Sequence, residues 1–277
     1  MRGMLFRRLI RNKLAVFGAV LLLLLTAMAV FAPWVASHNP YKLNIKERFQ
    51  PPSSAHYFGT DGYGRDLFSR VVYGAAIALR VGFLSIIVAM TAGILLGLIS
   101  GYYRGWIDSI IMRIMDAILS FPIILLAIGI MAVLGAGFAN LMIALGVVYT
   151  PRFARLVRSS VLSIREKEYI EAARVTGCGD LTILFVHILP NCWAPVIIQA
   201  TTSFGYAILW EAALSFLGLG APPPSPSWGS LLADGKEVLS RAPWMTYFPG
   251  AAIALSVLSL NLFGDGLRDV LDPRIKE

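Results

Sequence analysis

Apolar positions in this chain run in long unbroken blocks and do not alternate as they would on a half-buried strand. Five blocks carry no Asp, Glu, Lys or Arg: Leu14 to Tyr41, Val81 to Tyr103, Ala117 to Pro151, Leu181 to Trp210 and Ala242 to Gly264. A helix needs about twenty apolar residues to cross a bilayer's hydrocarbon core, so each block can hold a span. The third is too long for one, and Gly135-Ala136-Gly137 with Asn140 just beyond has the composition of a turn at its middle. It therefore reads as a helical hairpin. The expectation is an all-α polytopic membrane protein with six spans, at 14–35, 81–102, 117–134, 138–157, 193–217 and 246–264.

Composition agrees: 57% of the 277 residues are hydrophobic, 14% are charged, and the mean hydropathy is +0.70. Few soluble domains carry so little charge. The net charge of +8 is distributed in a way that argues against nucleic acid, because the basic residues flank the spans and do not gather on one face. With six spans and a cytoplasmic N-terminus, the inner side holds the basic residues before span one, Arg104 and Arg113, those from Arg152 to Arg174, and those at the C-terminal end. That distribution satisfies the positive-inside rule. A single crossing of Ala117 to Pro151 would instead send the cluster from Arg152 to Arg174 outside. Arg152 and Arg155 must then snorkel from the fourth span. The basic start followed by an apolar run resembles a signal peptide, but the run is too long and no A-x-A site follows. Cys178 and Cys192 fall on the inner side, where thiols stay reduced, so neither a disulfide nor a metal site is expected of them.

The N-terminal part, 1–80, thus comprises a tail, the first span and an outside segment, and 81–277 is a five-helix core. In the outside segment Asp61-Gly62-Tyr63-Gly64-Arg65-Asp66 lacks the acidic spacing and closing Glu of an EF-hand. A turn is expected, with Arg65 and Asp66 pairing or capping a helix that starts at Leu67 and leads into the second span. A second outside loop, 218–245, contains the stiff Pro222-Pro223-Pro224-Ser225-Pro226. Trp228 and Trp244 beside it read as membrane-interface anchors, with Trp228 also a candidate contact for an external partner. No Walker A sequence occurs, and Gly235-Lys236-Glu237 lacks both the glycine spacing and the Ser or Thr, so ATP is not bound by that route.

The loop 159–191 is too polar at its start to span and too patterned to be a mere linker. Glu168 to Val175 favours helix, Gly177 and Gly179 can take positive φ, and Asp180 is placed to cap a second helix. Within it, Glu171-Ala172-Ala173, three residues, Gly177, then Leu189-Pro190 resembles the cytoplasmic EAA loop of permeases in binding-protein-dependent ABC importers. His187 stands where that pattern usually has Ile, while Ile188-Leu189-Pro190-Asn191 looks like the peptide and nickel branch. The resemblance extends to Phe58-Gly59-Thr60-Asp61, Gly64-Arg65-Asp66 and Ser69-Arg70. It continues in the run from Glu211 to Gly220 and in Gly264-Asp265-Gly266-Leu267-Arg268-Asp269 with Leu271-Asp272-Pro273, all similar to the C-type permease of dipeptide and oligopeptide importers.

That resemblance implies a type I importer permease fold and a complex of this chain, a second homologous permease, two ABC ATPases and an external substrate-binding protein. ATP and Mg would sit on the ATPases; this chain is expected to be no enzyme and to hold no cofactor or metal. Glu171, Ala172, Ala173, Gly177, Asp180, Leu189 and Pro190 would couple to the ATPase, the small residues seating the loop in a groove and Gly177 setting the turn. Glu211, an acid far along a span, is a candidate for the translocation path or gate, or for pairing with an Arg. Gly93, Gly97 and Gly101 at four-residue spacing predict a close helix contact. Pro122, Pro151 and Pro195 mark sites of bending. The alternative function is a self-contained ion-coupled secondary transporter, which the lack of an ionisable relay inside the spans disfavours. The three histidines and scattered acids suggest no triad or metal set for a membrane enzyme.

Overall fold

A computed structural model describes residues 11–271, and these are helical with loops between, with no strand among them. Helix α1 (Lys13–Val30) is followed by the short α2 (Ala32–Val35). A strap of mostly irregular chain leads to α3 (Leu67–Tyr103), which at 37 residues begins well before the second predicted span and runs through residue 80 without a break. After α4 (Gly105–Leu119) and α5 (Ile123–Leu134) comes α6 (Phe138–Ile164). The short α7 (Glu168–Val175) precedes α8 (Asp180–Phe216), and α9 (Trp228–Lys236) and α10 (Trp244–Leu271) complete the chain.

Four of these, α1, α3, α8 and α10, are long and apolar enough to cross a membrane, and α4 with α5 makes a fifth if that bent pair is one span. The six predicted spans fall on helical chain, with three qualifications; the first, 14–35, runs past the end of α1 at Val30 into the separate α2. The third, 117–134, is not one straight rod: the chain bends by 96° between α4 and α5. Pro122 causes the break, since it has no N–H to give and disfavours helix in Phe121 before it. The fourth coincides with α6, whose length of 27 residues suffices. Arg152, Arg155 and Arg158 in its second half shorten its apolar stretch.

The predicted hairpin is present. Gly135 and Gly137 both have positive φ, 85° and 146°, which β-carbon-bearing residues rarely adopt, and Asn140 donates to the carbonyls of Leu134 and Gly135. The amphipathic α4 is tied to α6 by ion pairs of Asp108 with Arg158 and of Asp116 with Arg155.

The core is built on close approach of α3 and α6. A β-carbon on Gly93, Gly97 or Gly101 would lie 2.3 Å from Phe153 Cβ, 2.6 Å from Ala154 O and 2.7 Å from Val161 Cβ. No real side chain fits there, so the glycine repeat is a helix-packing face, as small-residue spacing in membranes leads one to expect. Paired levels rise together along both helices, so α3 and α6 run parallel.

One end of the bundle, the lever end, gathers the start of α1, the ends of α3 and α6, α7, the start of α8 and the end of α10. Asn12, which caps α1, also donates to Asp269 of α10 at 3.1 Å, so the two ends of the described chain meet there. Residues 1–10 and 272–277, which include Asp272-Pro273 and several of the terminal basic residues, lie outside the described part. At the opposite, strap end, residues 37–66 lie over the start of α3 beside α9 and the start of α10. Phe58 stacks on Phe248 with ring centroids 3.8 Å apart, and the Trp244 indole donates to Thr60 O at 3.3 Å.

Candidate functional site: the lever loop and its clamp

Residues 165–191 form a bent hairpin at the lever end. Helix α7 has Glu168 and Glu171 in its first turn and Arg174 in its last, signs that suit the helix dipole. Its inner face buries Ile170 and Ala173, while Glu171 and Ala172 are exposed. Thr176 ends the helix and donates its hydroxyl to Ala172 O and Ala173 O. Gly177 then turns the chain at φ +84°, with open space where a β-carbon would go. Only the turn demands glycine here, for a side chain would be strained but not crowded.

Two details differ from the sequence expectation. Gly179 has φ −68°, so Gly177 alone makes the left-handed turn. Asp180 does not cap α8; it is the first residue of that helix, and its carboxylate accepts instead from the Tyr102 hydroxyl at 2.6 Å. Tyr102 belongs to α3, so this bond joins the loop to the helix that packs against α6.

Two arginines complete the clamp. Arg165 donates to Tyr102 O at 2.7 Å and to Gly101 O at 3.3 Å, filling carbonyls that the end of α3 leaves open. Burial, then the nearby charges of Arg104 and Arg174, push its pKa below the ordinary guanidinium value. Arg174 of α7 lies over the Tyr102 ring at 5.5 Å. Nothing in the separate sequence positions 102, 165, 174 and 180 announces this cluster.

Beyond the turn, Ile183–Ile188 is a π-turn inside α8. Pro190 explains it: without an N–H it cannot bond Val186 O, and the Leu189 N–H reaches Leu184 O instead. The Asn191 side-chain amide donates to His187 O at 2.7 Å. Leu189 is half-buried against the core and Pro190 is exposed. The loop's outer surface is apolar and open, with Val175 84% and Leu181 69% exposed on either side of Gly177.

The other expected site residues fare differently. Trp228 is neither an interface anchor nor an external contact: it is 1% exposed, donates to Val71 O at 2.8 Å, and fills the space that Gly74 leaves on α3. Its position at the start of α9, just after the helix-capping Ser227, turns it inward. Glu211 is buried near the strap end of α8. The expected arginine partner is not on this chain among the described residues; its Oε1 accepts from Ser215 at 2.7 Å and its Oε2 has no partner.

In the turn at 61–66 Arg65 pairs with Asp61 at 2.6 Å and not with Asp66. Asp66 caps α3 by accepting from Ser69 N–H at 2.8 Å. Burial pushes the Asp66 carboxyl pKa up, and the hydrogen bonds from Ser69 and His56 outweigh it, leaving the carboxyl below its usual range. His38 and His56 also converge on Asp66, a grouping the sequence reading did not foresee.

The model of the binding-protein-dependent transport system inner membrane component family matches residues 93–277, which include the lever loop and the core helices. The chain therefore belongs to that family and is a membrane permease of ABC transporter type. A second match, the N-terminal transmembrane domain of oligopeptide transport permease C, covers residues 2–52. Among its relatives is the dipeptide transport system permease protein DppC of Alkalihalophilus pseudofirmus, 51% identical over 98% of this chain and 89% of that protein. The di/tripeptide permease DppC of Pseudomonas aeruginosa is 45% identical over 96% and 89%. The glutathione permease GsiD of Pectobacterium atrosepticum is 45% identical over 98% and 90%. In fold the chain is similar to the inward-facing MetNI methionine ABC transporter, at a TM-score of 0.59 and 19% identity, covering 73% of this chain and 96% of that one. The fold is thus that of a type I importer permease.

Proposed function

We propose that this chain is one permease of an ATP-driven importer of dipeptides or oligopeptides, and that the lever loop receives force from an ATPase subunit in the cytoplasm. The observation that carries the reading is the clamp at Tyr102. A push on α7 has two rigid outlets: through Gly177 and the π-turn into α8, and through Tyr102 and Arg165 into α3. Both helices reach the strap end, so a movement at the loop tilts the walls of the bundle. The exposed surface of Glu171, Ala172, Val175 and Leu181 is small and apolar in its middle and charged at its edge. Such a surface suits a groove on a protein partner.

The full complex would contain a second, homologous permease, two ABC ATPases carrying ATP and Mg, and an external substrate-binding protein docking at the strap end. This chain itself carries out no hydrolysis. Both ends of the described chain share the lever end with Arg104, Arg158, Arg165 and Arg174, which supports an inner-membrane orientation with cytoplasmic termini. The peptide substrate class is supported by relatives named for dipeptides and di- and tripeptides at 45–51% identity. In this reading Glu211, buried near the strap end of its span, flanks the external gate. An ion-coupled carrier is disfavoured because Glu211 is the one buried acid within the four clearly apolar spans among the described residues, and a relay needs several such groups.

Purification of the intact complex tests this. The expected result is co-purification of a second permease and ATPase subunits, with ATP hydrolysis stimulated by peptide-loaded binding protein. Solute uptake by this chain alone in liposomes, driven only by an ion gradient, would contradict it.

A further inference from the structure

Two of the three histidines of the chain meet at the strap end although eighteen positions apart in the sequence. His56 Nδ1 is 2.8 Å from Asp66 Oδ1, and His38 Nδ1 is 3.7 Å from the same oxygen. The ligand atoms of His38, His56 and Asp66 all lie within 4.8 Å of one another. Ligands bound to one tetrahedral ion at about 2.0–2.2 Å are roughly 3.3 Å apart, so the observed separations bracket what an ion requires. Asp66 and His56 are buried; His38 is half-exposed, with its Nδ1 also 3.1 Å from the Ser37 hydroxyl.

The surroundings orient these groups as they do around bound metals. Asp66 Oδ2 is held by the Ser69 N–H at 2.8 Å, the Ser69 hydroxyl at 2.7 Å and the Ser37 hydroxyl at 3.2 Å, which leaves Oδ1 facing the two imidazoles. The far nitrogen of His56, Nε2, faces Glu47 Oε2 at 3.5 Å, and Glu47 is itself fixed by Asn44 at 2.6 Å. A carboxylate behind the ligating imidazole is the recurrent support of histidine metal ligands. A cavity of about 300 Å³ adjoins, lined by Asn44, Glu47, His56 and Asp66 among others, with room for a water at a fourth position.

We propose that His38, His56 and Asp66 bind a divalent zinc ion that clasps the strap to the start of α3. Two imidazoles, one carboxylate and an open position make a donor set that favours a borderline transition ion over magnesium or calcium. Its consequence is mechanical: His38 at the beginning of the strap and His56 in its second half are both fastened to the residue that caps α3. The surface offered at this end is thereby held in one shape. The site does not depend on which solute is transported.

The test uses the full chain in detergent, stripped with a chelator and titrated with zinc chloride. The expected result is one zinc bound per chain at micromolar or tighter affinity, with cobalt in its place giving visible ligand-field bands of tetrahedral type. His38→Ala, at a half-exposed position, is expected to weaken binding at least about tenfold, and Glu47→Gln by about 10–100-fold, whereas His187→Ala, far away in the lever loop, leaves it unchanged. Zinc is also expected to slow chymotryptic cleavage after the exposed Tyr57. No zinc retained at ten-micromolar concentration, or equal binding by the His38→Ala chain, would overturn the site; zinc binding without protection at Tyr57 would overturn the clasp.

Discussion

Single residues carry the clearest divergences from sequence reasoning. Trp228 reads as a surface aromatic because it follows a proline-rich loop, yet its indole is spent inside, on Val71 O and the gap over Gly74. Trp228→Ala should therefore cost about 3–5 kcal/mol, as large aromatic truncations in cores do, and show as a loss of folded protein in the membrane. Unchanged abundance with weakened docking of an external partner would restore the surface role. Tyr102 was invisible in advance because hydroxyl and carboxylate are 78 positions apart. Tyr102→Phe removes only the bond to Asp180, worth about 1–2 kcal/mol. The expected outcome in proteoliposomes is near-normal ATP hydrolysis with several-fold less solute moved per ATP. An unchanged ratio would remove Tyr102 from the transmission path.

At the scale of elements, much was legible. Charge-free blocks gave the spans, the glycine pair at 135 and 137 gave the hairpin, and four-residue glycine spacing gave the α3 to α6 contact. These signals are local, and lipid exposure makes them strong. The bend at Pro122 was harder: proline is tolerated in membrane helices, so its presence alone does not say whether the helix kinks or turns through a right angle. The strap was not legible, since its shape depends on contacts such as Phe58 with Phe248 that no period announces. The two kinds of glycine now make opposite forecasts. Gly97→Leu collides with Ala154 O and Val157; it should cost at least about 3 kcal/mol and abolish stable insertion. Gly177→Val meets nothing within 4 Å and costs about 1–2 kcal/mol for its left-handed φ. It should insert normally yet hydrolyse ATP without transport, as measured by membrane abundance and uptake side by side. Wild-type uptake by a well-inserted Gly177→Val chain would contradict the lever.

For the whole molecule, the parallel glycine-packed pair of α3 and α6 forms the rigid wall to which the lever is fixed. The strap lies over its far end. The family resemblance was legible in motifs spread along the chain, while the connection between lever and wall came only from three-dimensional placement. Because the helices are continuous between the ends, transmission needs no flexible relay in between. It needs an ATPase at the lever end. The most direct measurement places a cysteine at the exposed Ala172 position (Ala172→Cys) in a chain carrying Cys178→Ser and Cys192→Ala, and applies a short bifunctional crosslinker to the intact complex in membranes. The account predicts a crosslink to an ATPase subunit, with yield changing when nucleotide is added, and labelling of the same cysteine only from the cytoplasmic side; labelling only from outside, with no crosslink to an ATPase, would contradict it.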